Sequence, residues 1–146
     1  NFILMRDLKN ITRKASDWCL VATGTLNDPY TGKVIKFVRG VGTSLAVQID
    51  HVVALSNAWS TGAQSISSTA RYQLANDPLN LLAVDGPTNG SKSDSDAANF
   101  LPRVAYQCKY VARQLSVKRK YHLWVTAAEK SAMVRVLTTC PSQKLP

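Results

Sequence analysis

Acidic side chains are scarce in this chain. Nine Asp and Glu stand against eighteen Lys and Arg, a formal charge of +9 on 146 residues. An imbalance of that size points toward a polyanionic partner, nucleic acid or an anionic membrane surface, although a basic surface also serves solubility. Long apolar runs are missing: none approaches the roughly 20 residues that a spanning helix needs, so membrane insertion is not expected. Paired cysteines are missing as well. Cys19, Cys108 and Cys140 contain no Cys-x-x-Cys, and four tetrahedral ligands cannot be assembled at any usual spacing, which excludes a structural zinc domain. Repeats and low-complexity segments are absent. Asn1 opens the chain without a signal peptide or Met, as expected of a processed or trimmed product. The length predicts one domain, residues 1–146, able to bury a core without metal or disulfides.

What is present reads as a mixed α+β chain with short strands. "FILMRDLKNI" places Ile3, Leu4, Leu8 and Ile11 at helical spacing. "CLVATGTL" and "KVIKFV" are β-branched runs around "NDPYTG", the pattern of a hairpin. "LAVQIDHVVAL" is a further strand-like run. "SSTARYQLAND" predicts a helix capped by Ser67 or Ser68 that stops before Pro78. "NLLAV" is a short strand, and "GPTNGSKSDSDAANF" a turn leading into a helix. From Pro102 to His122 the period is helical, with Val104, Cys108, Val111 and Leu115 on one stripe. Thr126 followed by Glu129 is a capping-box signature for a last helix to about Leu137.

The chemistry concentrates between Asp50 and Lys92. Asp50 stands beside His51, one of only two histidines, inside an apolar run; Asn80 opens the next strand, and Asn89 follows nine residues later at the start of a helix. A carboxylate and an amide oxygen are ligands of the kind Mg²⁺ prefers, and that ion keeps several waters, leaving room for substrate phosphate. His51 is then free to act as a base, provided a second group orients its ring. Successive strand residues point to opposite faces, so Asp50 and His51 can share a site only if the strand bends or bulges.

"IDHVVAL", "NDPLNLLAV" and "GPTNGSKSD" resemble the HNH, or ββα-metal, nuclease motif, also found in the HNH domain of RNA-guided DNA nucleases. "GTLNDPYTGKVIKFVRG", the "AW" and "GA" of "SNAWSTGAQ", and "CKYVARQLSVKRKYHLWVTAAEKSAM" extend the resemblance over nearly the whole chain, to the secreted bacterial HNH-family endonucleases. The resemblance implies a ββα-metal core over about 45–100, an N-terminal β-hairpin, and a C-terminal helical part over about 101–140. It implies His51 as general base, Asp50 and Asn89 as Mg²⁺ ligands, with Mn²⁺ or another divalent cation able to substitute, and Asn80 as the middle Asn that braces the metal loop and orients the histidine. The reaction implied is phosphodiester hydrolysis in DNA or RNA with little sequence specificity, leaving 5′-phosphate and 3′-hydroxyl ends. Asn89 stands where the motif's final His is named, and suits a hard cation better than imidazole.

Each residue also has a plainer reading. An Asp-His pair in an apolar run is ordinarily a buried hydrogen-bonded pair, and "DPLN" and "PTNG" are turn chemistry in their own right. His122, with no carboxylate close in sequence, reads as surface or packing; Trp18, Trp59 and Trp124 read as core or rim. Lys92, placed in the first turn of a helix where a cation opposes the dipole, is expected to meet phosphate. Arg71 either pairs with Asp77 or faces nucleic acid. Between Arg103 and Lys120 lie six Lys or Arg and no acid, so Lys109, Arg113 and Lys120 are expected to contact phosphates. The alternative to an enzyme is a nucleic-acid-binding module that keeps the shape without turnover. Two helices joined by the short "YHLWV" link should pack antiparallel, which predicts a Cys108–Cys140 disulfide and an oxidising, secreted or extracytoplasmic setting. Cys19 is then the odd one. The opening "NFILMRDL" resembles a point inside the family just after a "CDTR"-like segment, so its partner is expected upstream.

Overall fold

A computed structural model describes residues 1–146. The order is helix α1 (Phe2–Asp7), strands β1 (Leu8–Lys14), β2 (Asp17–Asn27), β3 (Val34–Val38) and β4 (Val47–His51), helices α2 (Leu55–Ser60) and α3 (Ser68–Asn76), strand β5 (Leu81–Asp85), then helices α4 (Gly86–Lys92), α5 (Val104–Lys120) and α6 (Ala127–Leu137). The fold is therefore mixed α+β, with the expected hairpin formed by β2 and β3 in antiparallel register, Thr25 opposite Lys36. β1 completes a three-stranded sheet, while β4 and β5 form a separate antiparallel pair. No helix is long and apolar enough to cross a membrane.

The β4–β5 pair lies between two layers, and its composition explains why. β5 alternates Leu82 and Val84 into a cluster with Tyr30 from the turn between β2 and β3 and with Tyr110, Val111, Met133 and Val136 from the C-terminal helices; Ala83 faces a cluster with Ile3 and Leu4 of α1 and Leu8, Val21, Leu26 and Phe37 of the three-stranded sheet. Burial on both faces is what an uninterrupted apolar strand such as "LLAV" is suited to. A third cluster, with Val53, Ala58, Leu74, Val117 and Tyr121, fastens α2 and α3 to α5.

The helix ends follow their capping chemistry. Ser67 Oγ accepts from the Ala70 N–H, and α3 stops at Asn76, before Asp77-Pro78. Thr126 and Glu129 complete a reciprocal capping box on α6. Elsewhere the expected boundaries shift. Only Phe2–Asp7 of the first run is helical, and Leu8 to Ile11 enter β1, where Leu8 packs beneath Gly24. The "GPTNGSK" turn is itself α4, because Asp85 accepts from the Thr88 N–H and Pro87 suits the first turn. Asn89 thus lies within that helix and Lys92 in its last turn, where a cation suits the dipole. A side chain at Gly86 would collide with the Leu45 carbonyl oxygen, so only glycine allows α4 to start against that turn.

Val104, placed on the apolar stripe of α5, is 81% exposed; the buried face instead carries Tyr110, Val111, Gln114, Val117 and Lys118. Trp18, Trp59 and Trp124 are each more than half exposed, contrary to a core reading. Trp18 and Trp59 lie beneath the Arg13 and Arg71 guanidiniums. The Cys108–Cys140 disulfide is formed and ties α5 to the end of α6, while Cys19 is free and exposed.

Candidate active site

β4, β5 and α4 bring the predicted residues together. Asp50 pairs with Leu82 and His51 with Leu81 in unbroken register. The bulge expected between them is not needed: β4 ends at His51, and a cleft of about 330 Å³ at that end is lined by Ile49, Asp50, His51, Asn89 and Asp94 among others. Alternation still holds, since Asp50 is 3% exposed and His51 half-buried.

His51 is oriented by a group that sequence reasoning did not supply. Its Nε2 lies 2.9 Å from the Ala75 carbonyl oxygen at the end of α3. A carbonyl only accepts, so Nε2 carries the proton and Nδ1 is left as the basic nitrogen. Asn80, fully buried, does not touch the ring. Its Oδ1 accepts from the Val53 N–H at 2.8 Å, and its Nδ2 donates to the carbonyls of Val53 and, at 3.4 Å, Leu74. It therefore ties the segment after β4 to the end of α3 beside Ala75, and acts on His51 only through backbone.

Asp50 is held by two donors. Lys92 Nζ is 2.9 Å from Oδ1, and the Tyr30 hydroxyl donates to Oδ2 at 2.5 Å. Burial, with Tyr110 and Asp50 nearby, raises the Tyr30 pKa well above its ordinary value, which keeps the phenol protonated and donating. Tyr30 comes from the "NDPYTG" turn, legible in sequence only as a turn. Lys92 is completely buried and also donates to the His51 carbonyl at 2.9 Å. It is not the exposed phosphate contact expected of it: its ammonium is turned inward, where the Asp50 carboxylate and the His51 carbonyl accept from it.

Asn89 donates through Nδ2 to Gln48 at 2.9 Å, which leaves its Oδ1 without a protein donor. Of the predicted ligands, the Asp50 carboxylate, with lone pairs beyond those used by Lys92 and Tyr30, and the Asn89 amide offer oxygens at the cleft, which Asp94 also lines. That set fits a hard divalent cation which keeps most of its shell for water and phosphate. No three His, Cys, Asp or Glu side chains gather in a metal-holding arrangement.

The remaining basic residues divide. Arg113 donates to the carbonyls of Leu79, Pro78 and Leu81 at 2.6–3.0 Å and acts as a clamp on the start of β5 rather than as an open phosphate contact. Arg71 neither pairs with Asp77 nor stands free; it donates to the Ala63 and Ile66 carbonyls beside Trp59. Asp77 instead receives Lys120 at 2.6 Å and the Tyr121 hydroxyl at 2.7 Å. Lys118 is buried against Glu129 at 2.8 Å. Of the helix's charges, Lys109 and Arg119 are exposed and make no ion pair, and His122 is exposed as expected.

Residues 3–136 match the family described as GmrSD restriction endonucleases, C-terminal domain. A protein of Arthroderma benhamiae named "Uncharacterized secreted protein" is 38% identical over 141 residues, covering 94% of this chain and 65% of its own. The chain thus spans a little under two thirds of that relative. The Cys108–Cys140 bond of this chain is consistent with an oxidising, extracellular setting. With the match running from Ile3 to Val136, the chain belongs to the family of GmrSD restriction endonuclease C-terminal domains.

Proposed function

We propose that this chain is an HNH-type, metal-dependent endonuclease that hydrolyses phosphodiester bonds in DNA, and in RNA as a second substrate, with little sequence specificity. The observation that carries the reading is the state of His51: its Nε2 proton is committed to the Ala75 carbonyl, its other nitrogen is basic, and it shares one cleft with Asp50 and Asn89. His51 takes the proton from the attacking water. Asp50 and Asn89 hold Mg²⁺, with Mn²⁺ able to replace it. The cation, when bound, supplies stabilisation of charge developing on the phosphate and on the leaving 3′ oxygen. Tyr30 and Lys92 aim the Asp50 carboxylate through two hydrogen bonds, and Asn80 keeps the end of α3 where its carbonyl can hold the imidazole. The products carry 5′-phosphate and 3′-hydroxyl ends. Exposed Lys109 and Arg119 meet phosphates without reading bases. The disulfide supports a secreted or extracytoplasmic setting for this activity.

One observation favours a second reading, a nucleic-acid-binding module without turnover: the metal-ligand carboxylate is already paired with Lys92. Supercoiled plasmid incubated with Mg²⁺, with EDTA, and with the His51→Ala protein separates the two. The endonuclease reading requires nicking and linearisation only by wild type with Mg²⁺. Plasmid that is bound and left intact by wild type with Mg²⁺ supports the module.

A further inference from the structure

Lys92 is a cation buried in the same site that is read above as holding a second one. Its side chain has no exposed surface, its ammonium lies 2.9 Å from Asp50 Oδ1, and the same nitrogen is fixed by the His51 carbonyl at 2.9 Å. The position is therefore defined by two partners and by packing, with no room at the surface to which the chain could swing. The ligand carboxylate is already matched in charge: Asp50 contributes −1, Lys92, behind the cleft lining, +1, and Asn89 nothing. Asp94, exposed at the rim, is the other carboxylate lining the cleft.

We propose that Lys92 is a positioning residue that couples metal binding to nucleic-acid binding. This rests on Asp50 and Asn89 being the metal ligands. A divalent cation entering a site whose carboxylate is already neutralised meets an adjacent like charge in a poorly screened environment, so its affinity for the free protein is low. A phosphodiester entering the cleft supplies the missing negative charge and further oxygen ligands. Metal and substrate therefore bind together better than either alone, and by linkage each raises the affinity of the other by the same factor. The arrangement keeps a reactive metal centre from assembling until a phosphate backbone is in place. Lys92 achieves this without touching the reacting atoms, through Asp50 and the His51 backbone.

The test is Mn²⁺ titration by calorimetry of the full chain, with and without a short duplex carrying non-hydrolysable phosphorothioate linkages. Wild type is expected to bind Mn²⁺ about tenfold or more tightly in the presence of the duplex. Lys92→Gln, which keeps an amide donor toward Asp50, and Lys92→Met are each expected to bind Mn²⁺ about tenfold more tightly than wild type without the duplex, and to lose most of the enhancement with it. Wild-type affinity that does not respond to the duplex overturns the proposal, whatever the variants' folding. So does a folded variant whose metal affinity is unchanged or weaker. Asp50→Asn separates the two levels. If it binds Mn²⁺ as wild type does, the ligand assignment fails and the coupling with it. If it loses Mn²⁺ while Lys92→Gln leaves affinity unaltered, the ligands stand and only the coupling is refuted.

Discussion

Two lysine–carboxylate pairs are buried in this molecule at nearly equal distance, Lys92–Asp50 at 2.9 Å and Lys118–Glu129 at 2.8 Å. Their surroundings differ. Around Lys118 every polar group is turned to closing a helical corner: Trp124 carbonyl and Thr61 hydroxyl accept from the ammonium, while Asn57 and the Thr126 N–H donate to Glu129. Burial pulls the Lys118 pKa below its ordinary value and Glu129 opposes that pull. Around Asp50 the same chemistry is left open on one side, where the carboxylate, His51 and Asn89 face a cleft. A buried ion pair thus says little by itself. What distinguishes a strut from a reactive centre here is whether solvent-facing groups with spare lone pairs stand beside it.

Breaking the comparison at the cleft should give the largest effect. His51→Ala is expected to lower the cleavage rate by about 10²- to 10⁴-fold, the usual contribution of a positioned base, with little change in denaturant midpoint, because the ring makes a single hydrogen bond to Ala75. A variant that cleaves at the wild-type rate removes His51 from the mechanism. Breaking the strut gives the converse. Lys118→Met should cost about 3–5 kcal/mol of stability by leaving Glu129 buried and unpaired, measured by urea unfolding, while the folded fraction still cleaves. Adding Glu129→Leu should recover much of that loss. Cys108→Ser with Cys140→Ser, which opens a loop of 32 residues, should cost about 3–4 kcal/mol in the chain-entropy model. Equal stability of oxidised and reduced protein would contradict it.

The comparison also separates what was legible in the sequence. Asp50, His51, Asn80 and Asn89 were singled out by their order and spacing together with the resemblance to the HNH motif, and the structure brings Asp50, His51 and Asn89 to one cleft with Asn80 buried behind it. The groups that hold those residues could not be read. Ala75 acts through its carbonyl, which every residue possesses, and Tyr30 comes from a turn 20 positions before Asp50. The charged helix was misleading for a physical reason. A run without acids suggests an open basic face, but Lys118, Lys120 and Arg113 find their acceptors in Glu129, Asp77 and the backbone carbonyls of Pro78, Leu79 and Leu81 that lead into β5, tertiary partners 11 to 43 residues away. Helix boundaries failed at Leu8 and at Asp85, and α2 (Leu55–Ser60) was not foreseen, since the apolar run that reaches Leu55 read as strand beyond the His51 at which β4 ends.

Smaller effects sharpen the same contrast. Asp77 is raised by burial, yet hydrogen bonds from Lys120, the Leu79 N–H and Tyr121 together hold its pKa below the ordinary value. A depressed carboxylate stabilises the fold fully above its unfolded pKa of about 3.9 and loses that contribution as pH falls through the lower folded value. Stability measured from pH 5 to 2 should therefore decline more gently in Asp77→Asn. Because Lys120 is half-exposed and screened, the difference should not exceed about 1 kcal/mol. Replacing Lys109 and Arg119 with Ala should flatten the salt dependence of DNA binding by about 0.9 in the log–log slope for each phosphate no longer neutralised. An unchanged slope would mark that face as solvated only.

The most direct test sets the two pairs side by side. Asp50→Asn keeps an oxygen acceptor for Tyr30 and Lys92 but removes the charge, and Glu129→Gln does the same for Lys118. Plasmid cleavage in Mg²⁺, normalised to the folded fraction of each protein, should fall by at least about 10²-fold in Asp50→Asn and stay at the wild-type level in Glu129→Gln. Wild-type cleavage by folded Asp50→Asn would contradict the account, since the carboxylate beside His51 would then be one more strut.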